Sequence, residues 1–131
     1  MEGDGLCVLV AEDEPVIAEI IEVSLNDEGL STTVAHTGRQ ALSAIETRPR
    51  GFHLLVTDIR MGSGPNGWEI AHAARVASPG IGVIYITGDS MAAWRAKGVP
   101  DSVLIKKPFV PAQIVTAAMT LLNRTSGPLS T

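Results

Sequence analysis

Five polar side chains stand at the ends of short apolar runs in the sequence. They are Glu12 and Asp13 after residues 6–11, Asp58 after 52–57, Thr87 at the end of 82–87, and Lys107 after 102–106. Carboxylates placed close together repel one another unless a cation offsets their charge. Hard oxygen ligands suit Mg²⁺, and a lysine and a hydroxyl suit phosphate oxygens. These residue types predict a phosphoryl-transfer site in which one carboxylate is the acceptor.

The apolar runs predict the strands of a parallel sheet, because they are continuous rather than alternating. A weaker run at 31–36 supplies a fifth strand. Helical patterns fill the gaps, at about 15–28, 38–47, 66–77, 90–97 and 111–123. Five βα repeats predict an α/β fold with a doubly wound, five-stranded parallel sheet. Ligands of such sheets bind outside the carboxyl ends of the strands, so all five polar residues are predicted to meet at one edge.

The composition is typical of one globular domain. The chain has 131 residues, of which 45% are hydrophobic and 18% charged, with a formal net charge of -4. It has no cluster of Lys and Arg, so we expect no nucleic-acid partner. The acidic start and the six apolar residues after it fit neither a signal peptide nor a membrane span, and we expect a soluble, cytoplasmic protein. We place the domain at 1–124 and a short polar tail, without an output module, at 125–131.

Five sequence pieces resemble the motifs of response-regulator receiver domains of the chemotaxis type. They are "VLVAEDEP", "LLVTDIRM", "NGWEIA", "VIYITGDS" and "KKPF", and they lie in this order within residues 6 to 109. Each piece alone is weakly specific, but five in order make a specific signature. The resemblance implies the flavodoxin-like strand order 2-1-3-4-5.

The resemblance also implies roles for individual residues. Asp58 corresponds to the phospho-acceptor, Thr87 to the switch hydroxyl and Lys107 to the lysine that contacts the phosphoryl group. Asp13 corresponds to a direct Mg²⁺ ligand and Glu12 to its water-mediated neighbour. The backbone carbonyl of Arg60 would be a further ligand, and the Lys107–Pro108 peptide bond is expected to be cis.

Two positions depart from the family pattern. The loop after Asp58 has one extra residue and three glycines, so that Gly67 lies nine residues beyond the acceptor. Leu104 stands where the family usually has an aromatic switch residue, three positions before the lysine. We therefore expect signalling to run mainly through the loop that follows Thr87.

Two further hypotheses concern charged and apolar side chains near the site. Arg60 and Asp89, each two positions after a site residue, are predicted to pair across the mouth and slow the attack of water; the alternative is two solvated charges. The first helix carries a surplus apolar stripe, formed by Val16, Ile20 and Val23. It either docks a phosphodonor protein or is buried with the rest of the helix.

The most economical reading is a single-domain response regulator that is not a conventional enzyme. It would take its phosphoryl group from a histidine kinase or a histidine phosphotransfer protein and act on an unidentified downstream protein. The fifth helix lacks the charges of a salt-bridged dimer, so a monomer or weak dimer is expected. Two alternatives remain: an aspartyl-phosphate phosphohydrolase, disfavoured because Arg60 replaces the usual second acid, and an interaction module that is never phosphorylated.

Overall fold

The computed structural model describes residues 5–88 and 91–126, and its five strands form one parallel sheet in the order β2-β1-β3-β4-β5. The strands are β1 (Cys7–Ala11), β2 (Ser31–Ala35), β3 (Leu54–Asp58), β4 (Gly82–Thr87) and β5 (Val103–Lys106). The helices are α1 (Pro15–Asn26), α2 (Gly38–Thr47), α3 (Gly67–Ala77), α4 (Met91–Lys97) and α5 (Pro111–Ser126). The predicted fold and strand order are therefore confirmed.

The sheet is covered on both faces, which explains why its central strands are mostly apolar. Every residue of β3 and β4 is buried. On one face, Ile21 and Leu25 of α1 pack with Ile114 of α5 against the sheet. On the other face, Ile45 of α2 and Ile70 of α3 belong to a second hydrophobic cluster. Parallel strands buried on both sides are expected to read as continuous hydrophobic runs.

Local signals fix most helix ends. Thr37 caps α2 by accepting a hydrogen bond from the backbone N–H of Gln40, and Asn66 and Glu69 form a reciprocal capping box at the start of α3. Helix α1 ends at Asn26, two residues earlier than predicted, because the chain turns through Gly29, whose φ is +86°. Glycine adopts this left-handed conformation at little cost.

The boundaries of β3 and α5 also differ from the predicted ones. Strand β3 begins at Leu54 and includes Asp58, so the acceptor candidate is the last residue of the strand rather than the first of the loop. Helix α5 runs to Ser126, which is two residues into the predicted tail. Helix α4 is seen from Met91, and Ser90 lies outside the described residues; no described residue of α4 is buried.

A pair of neighbouring isoleucines tests the orientation of α1. Ile21 is fully buried, whereas Ile20 is partly exposed. We expect Ile21→Ala to lower the free energy of unfolding by about 2–5 kcal/mol, because it removes buried methylenes and leaves a cavity. Ile20→Ala should cost about 1 kcal/mol or less. Urea unfolding of both variants checks this, and equal losses would contradict the assigned faces.

Candidate functional site

The carboxyl ends of four adjacent strands, β1, β3, β4 and β5, bring the predicted site residues together. Strand β3 lies between β1 and β4, so Asp58 at the end of β3 has the segment after β1 on one side and Thr87 on the other. An open cleft of about 450 Å³ is found at this edge. Its lining residues are Asp13, Glu14, Asp58, Arg60, Thr87, Gly88 and Lys107.

Three carboxylates converge beside this cleft. Glu12, Asp13 and Asp58 each offer an oxygen, and these oxygens lie within 4.8 Å of one another. Glu12 and Asp58 are buried, whereas Asp13 is exposed. A group of hard oxygen donors with one exposed member is suited to a divalent cation that keeps some of its water.

Lys107 supplies positive charge to the carboxylates. Its Nζ lies 2.8 Å from Asp58 Oδ2, 3.5 Å from Glu14 Oε1 and 3.7 Å from Glu12 Oε1. Burial lowers the pKa of Lys107, but the hydrogen bond to Asp58 and the charges of the three acids outweigh it, so the pKa is raised overall. The lysine is therefore held in its charged form. The Lys107–Pro108 peptide bond is cis, as predicted.

The surroundings of Glu12 indicate that the single positive charge of Lys107 does not balance the negative charge of the carboxylates. Its Oε1 is buried and has no hydrogen-bond partner within the described part of the chain, while its Oε2 accepts from the backbone N–H of Glu14 at 3.1 Å. Burial, followed by the repulsion of Asp58, raises the pKa of Glu12 to about 8. A buried carboxyl oxygen without a partner is costly, and a bound cation would remove that cost.

The loop after Asp58 is positioned by close backbone contacts. The backbone N–H of Arg60 donates to Asp58 Oδ1 at 3.2 Å. A Cβ at Gly67 would overlap the carbonyl group of Asp58, and a Cβ at Gly38 would overlap the carbonyl oxygen of Pro65. The extended loop therefore rests against the start of α2, and glycine at position 38 permits this contact.

Two switch candidates lie in different surroundings. Thr87 is buried and lines the cleft, and its backbone carbonyl accepts from the N–H of Lys107 at 2.8 Å. Leu104 is partly buried and packs against the α2–α3 side of the core. Its neighbour across the sheet is Tyr85, which is fully buried and whose hydroxyl accepts from the backbone N–H of Val99.

The structure thus brings together most of the predicted site residues but leaves one hypothesis open. Arg60 lines the cleft, whereas Asp89 lies outside the described residues, so their pairing stays a prediction. Sequence reasoning missed Glu14, which contacts Lys107. The signal was present, since Glu14 is the third consecutive acid after β1.

The second apolar stripe of α1 faces outward. Val16, Ile20 and Val23 are 70%, 40% and 49% exposed, so the reading in which this whole helix face is buried is wrong. Beside the stripe, a groove of about 470 Å³ runs toward the segment after β5. Its lining residues are Ile17, Ile20, Lys107, Pro108, Phe109 and Pro111.

Comparison with known proteins decides the family. The sequence profile of the family described as "Response regulator receiver domain" matches residues 8–119. The chain belongs to this family. A solved response regulator receiver protein from Sinorhizobium medicae is 34% identical and superposes with a TM-score of 0.88, covering 93% of this chain and 98% of that one. The chemotaxis protein CheY4 of Vibrio cholerae, at 22% identity and a TM-score of 0.80, shares the fold.

Curated relatives of this receiver are longer proteins. The probable transcriptional regulatory protein TcrX of Mycobacterium tuberculosis is 30% identical over 126 residues, which are 95% of this chain and 53% of that protein. The transcriptional regulatory protein AruR of Pseudomonas aeruginosa is 32% identical over 123 residues, 89% of this chain and 49% of that protein. The receiver therefore spans about half the length of these relatives. Within residues 5–88 and 91–126, no helix is long and apolar enough to cross a membrane.

The stability of the metal-free receiver should depend on pH through Glu12. Its pKa is about 8 in the folded state against an ordinary value of 4.5, so the folded state binds an extra proton between these values. The free energy of unfolding is then expected to fall as pH rises from about 4.5 to about 8. Urea unfolding of the wild type and of Glu12→Gln, without divalent ions, isolates this effect. A wild-type pH profile parallel to that of the variant would contradict it.

The contact between Pro65 and Gly38 makes a second prediction. Gly38→Ala should lower the free energy of unfolding by about 1–3 kcal/mol, because the new methyl group forces the loop after Asp58 away from α2. Gly80→Ala is the control, since a Cβ there meets open space. It should change stability by about 0.5 kcal/mol or less. Equal effects of the two alanines on chemical unfolding would show that the loop does not rest on Gly38.

Proposed function

We propose that this receiver accepts a phosphoryl group on Asp58 from the phosphohistidine of a histidine kinase or histidine phosphotransfer protein. The observation that carries the proposal is the 2.8 Å contact between Lys107 Nζ and Asp58 Oδ2 at an open cleft. The ammonium group of Lys107 orients the Asp58 carboxylate, and Thr87 offers a hydroxyl at the same cleft. Downstream, the phosphorylated chain would act through protein contact.

The transfer itself is an in-line displacement at phosphorus. An oxygen of the Asp58 carboxylate forms a bond to phosphorus, and the bond from phosphorus to the donor nitrogen breaks. The electron pair of that bond leaves with the donor nitrogen, and the ring departs as a neutral imidazole because its other nitrogen carries a proton. Lys107 and the Thr87 hydroxyl would then donate hydrogen bonds to the phosphoryl oxygens.

Glu12, Asp13, Asp58 and the Arg60 carbonyl would hold Mg²⁺ at this site. The convergence of three carboxylates and the Glu12 oxygen without a hydrogen-bond partner in the described residues fit a small hard cation. When bound, Mg²⁺ supplies positive charge that lowers the repulsion between the carboxylates and an incoming phosphate. Lys107 contributes the same sign of charge from the protein itself.

The response to phosphorylation would run through the segment after Thr87 rather than through Leu104. Leu104 packs in the core without a hydroxyl or a ring that could report the state of the threonine. Helix α4 follows Thr87 closely, and none of its described residues is buried. An element with little buried surface can change position at low cost.

Arg60 is proposed to slow the loss of the phosphoryl group to water. Arg60 lines the cleft, and the sequence places Asp89 two residues after Thr87. Arg60→Ala should shorten the lifetime of the phosphorylated form. An unchanged dephosphorylation rate would rule out this gate.

The protein donor is proposed to dock on the exposed stripe of α1 and the groove beside it. Ile20 of the stripe lines this groove together with Lys107 and Phe109. An exposed row of apolar side chains at helical spacing suits an apolar helix face of a partner. Val16 and Ile20 are therefore assigned to partner binding rather than to the chemistry.

Charged substitutions in this stripe separate docking from chemistry. Val16→Glu or Ile20→Glu should slow transfer from a phosphorylated histidine phosphotransfer protein by about ten-fold or more, because the charges disrupt apolar contact. Labelling by acetyl phosphate should stay unchanged. Val76→Glu, at an exposed valine of α3, is the matched control and should affect neither reaction. Slowed transfer in the control, or unchanged transfer in Val16→Glu and Ile20→Glu, would contradict this docking surface.

The phosphoryl acceptor is tested by intact mass after incubation with acetyl phosphate and Mg²⁺. We expect one phosphoryl group on the wild type, none on Asp58→Asn and none without a divalent ion. Label on Asp58→Asn would exclude Asp58 as the acceptor. Rapid consumption of the donor with little retained label would favour the phosphohydrolase, and no label from either acetyl phosphate or a phosphorylated protein donor would favour an unphosphorylated interaction module.

A further inference from the structure

We propose that Glu14 is a positioning residue that competes with the incoming phosphoryl group for Lys107 and so limits the rate at which Asp58 is phosphorylated. This inference rests on the proposed function, because it concerns the same transfer. Glu14 does not belong to the acidic group formed by Glu12, Asp13 and Asp58, so its role is separate from theirs.

The local structure of Glu14 leaves its carboxylate available to Lys107. Glu14 is the N-cap residue of α1 and has an extended backbone, yet its side chain makes no capping hydrogen bond. Shorter acceptors such as Asp or Ser are preferred at this position because they reach the first N–H groups of the helix. The carboxylate of Glu14 instead lies 3.5 Å from Lys107 Nζ.

Burial distinguishes Glu14 from the other two acids around Lys107. The side chains of Glu12 and Asp58 are 0% and 8% exposed, whereas that of Glu14 is 63% exposed. Glu14 therefore contacts the lysine on its solvent side and also lines the open cleft. A phosphodonor that enters the cleft approaches Lys107 where Glu14 already lies.

The sign of the charge gives the direction of the effect. A phosphoryl group brings between one and two negative charges, which Glu14 repels. The ammonium group of Lys107 remains close to Asp58. To contact the phosphoryl oxygens as well, it must give up its contact with Glu14. Removal of the Glu14 charge is thus expected to make the lysine more available and the donor better tolerated. Because the pair is largely exposed, the effect should be small, about two- to five-fold in rate.

The test compares the initial rate of acetyl phosphate labelling at low donor concentration in three variants. Glu14→Gln should be labelled about two- to five-fold faster than the wild type, with a smaller gain at high salt because screening weakens the repulsion. Glu14→Asp keeps the charge but is one methylene too short for the same contact, so it should also be labelled faster than the wild type. Glu19→Gln removes an exposed charge from the same helix and should leave the rate unchanged.

Each outcome decides something. If Glu14→Gln matches the wild type, or if Glu19→Gln is accelerated as much, the assignment of Glu14 is overturned. A wild-type rate for Glu14→Asp beside a fast Glu14→Gln would overturn competition by contact. Urea unfolding of each variant shows whether its labelling rate changes together with its stability. The proposal predicts that the two do not change together. A wild type that takes no label would instead refute the proposed function, and this inference with it.

Discussion

The ion pair between Lys107 and Asp58 is the interaction on which the site depends, and it is not sufficient by itself. One ammonium group is surrounded by three carboxylates at 2.8, 3.5 and 3.7 Å. The pKa of Glu12 is raised to about 8, and one of its oxygens has no hydrogen-bond partner within the described residues. The site therefore lacks positive charge, and this deficit supports the proposal of a divalent cation at the acidic group.

The fold delivers these groups by strand order and by close backbone packing. Four neighbouring strands end at the same edge, so residues far apart in sequence lie close together there. Gly67 and Gly38 then let the loop after Asp58 lie against the strand end and against α2. Helix α1 packs Ile21 against the sheet and exposes Val16 to solvent. Core packing and the candidate docking surface therefore share this helix.

Much of this arrangement was predictable from the sequence, and the rest was not, for physical reasons. Apolar runs and the polar residues that end them fix the parallel sheet and bring Asp58 and Lys107 to one edge, because the ends of parallel strands coincide. Side-chain direction is a different matter: the sequence offered two stripes on α1, and only packing decided that Val16 faces outward. The contact of Glu14 with Lys107 was missed because it depends on the conformation of an N-cap residue whose side chain makes no capping hydrogen bond.

We propose that the carboxylate of Asp58, held by Lys107, receives the phosphoryl group. The most direct measurement is reductive trapping, in which the chain labelled with acetyl phosphate is treated with borohydride and its peptides are sequenced by mass spectrometry. Borohydride converts an aspartyl phosphate into homoserine. We expect homoserine at position 58 and nowhere else, in an amount proportional to the phosphoryl label. Homoserine at position 13, or label that survives borohydride at another side chain, would contradict it.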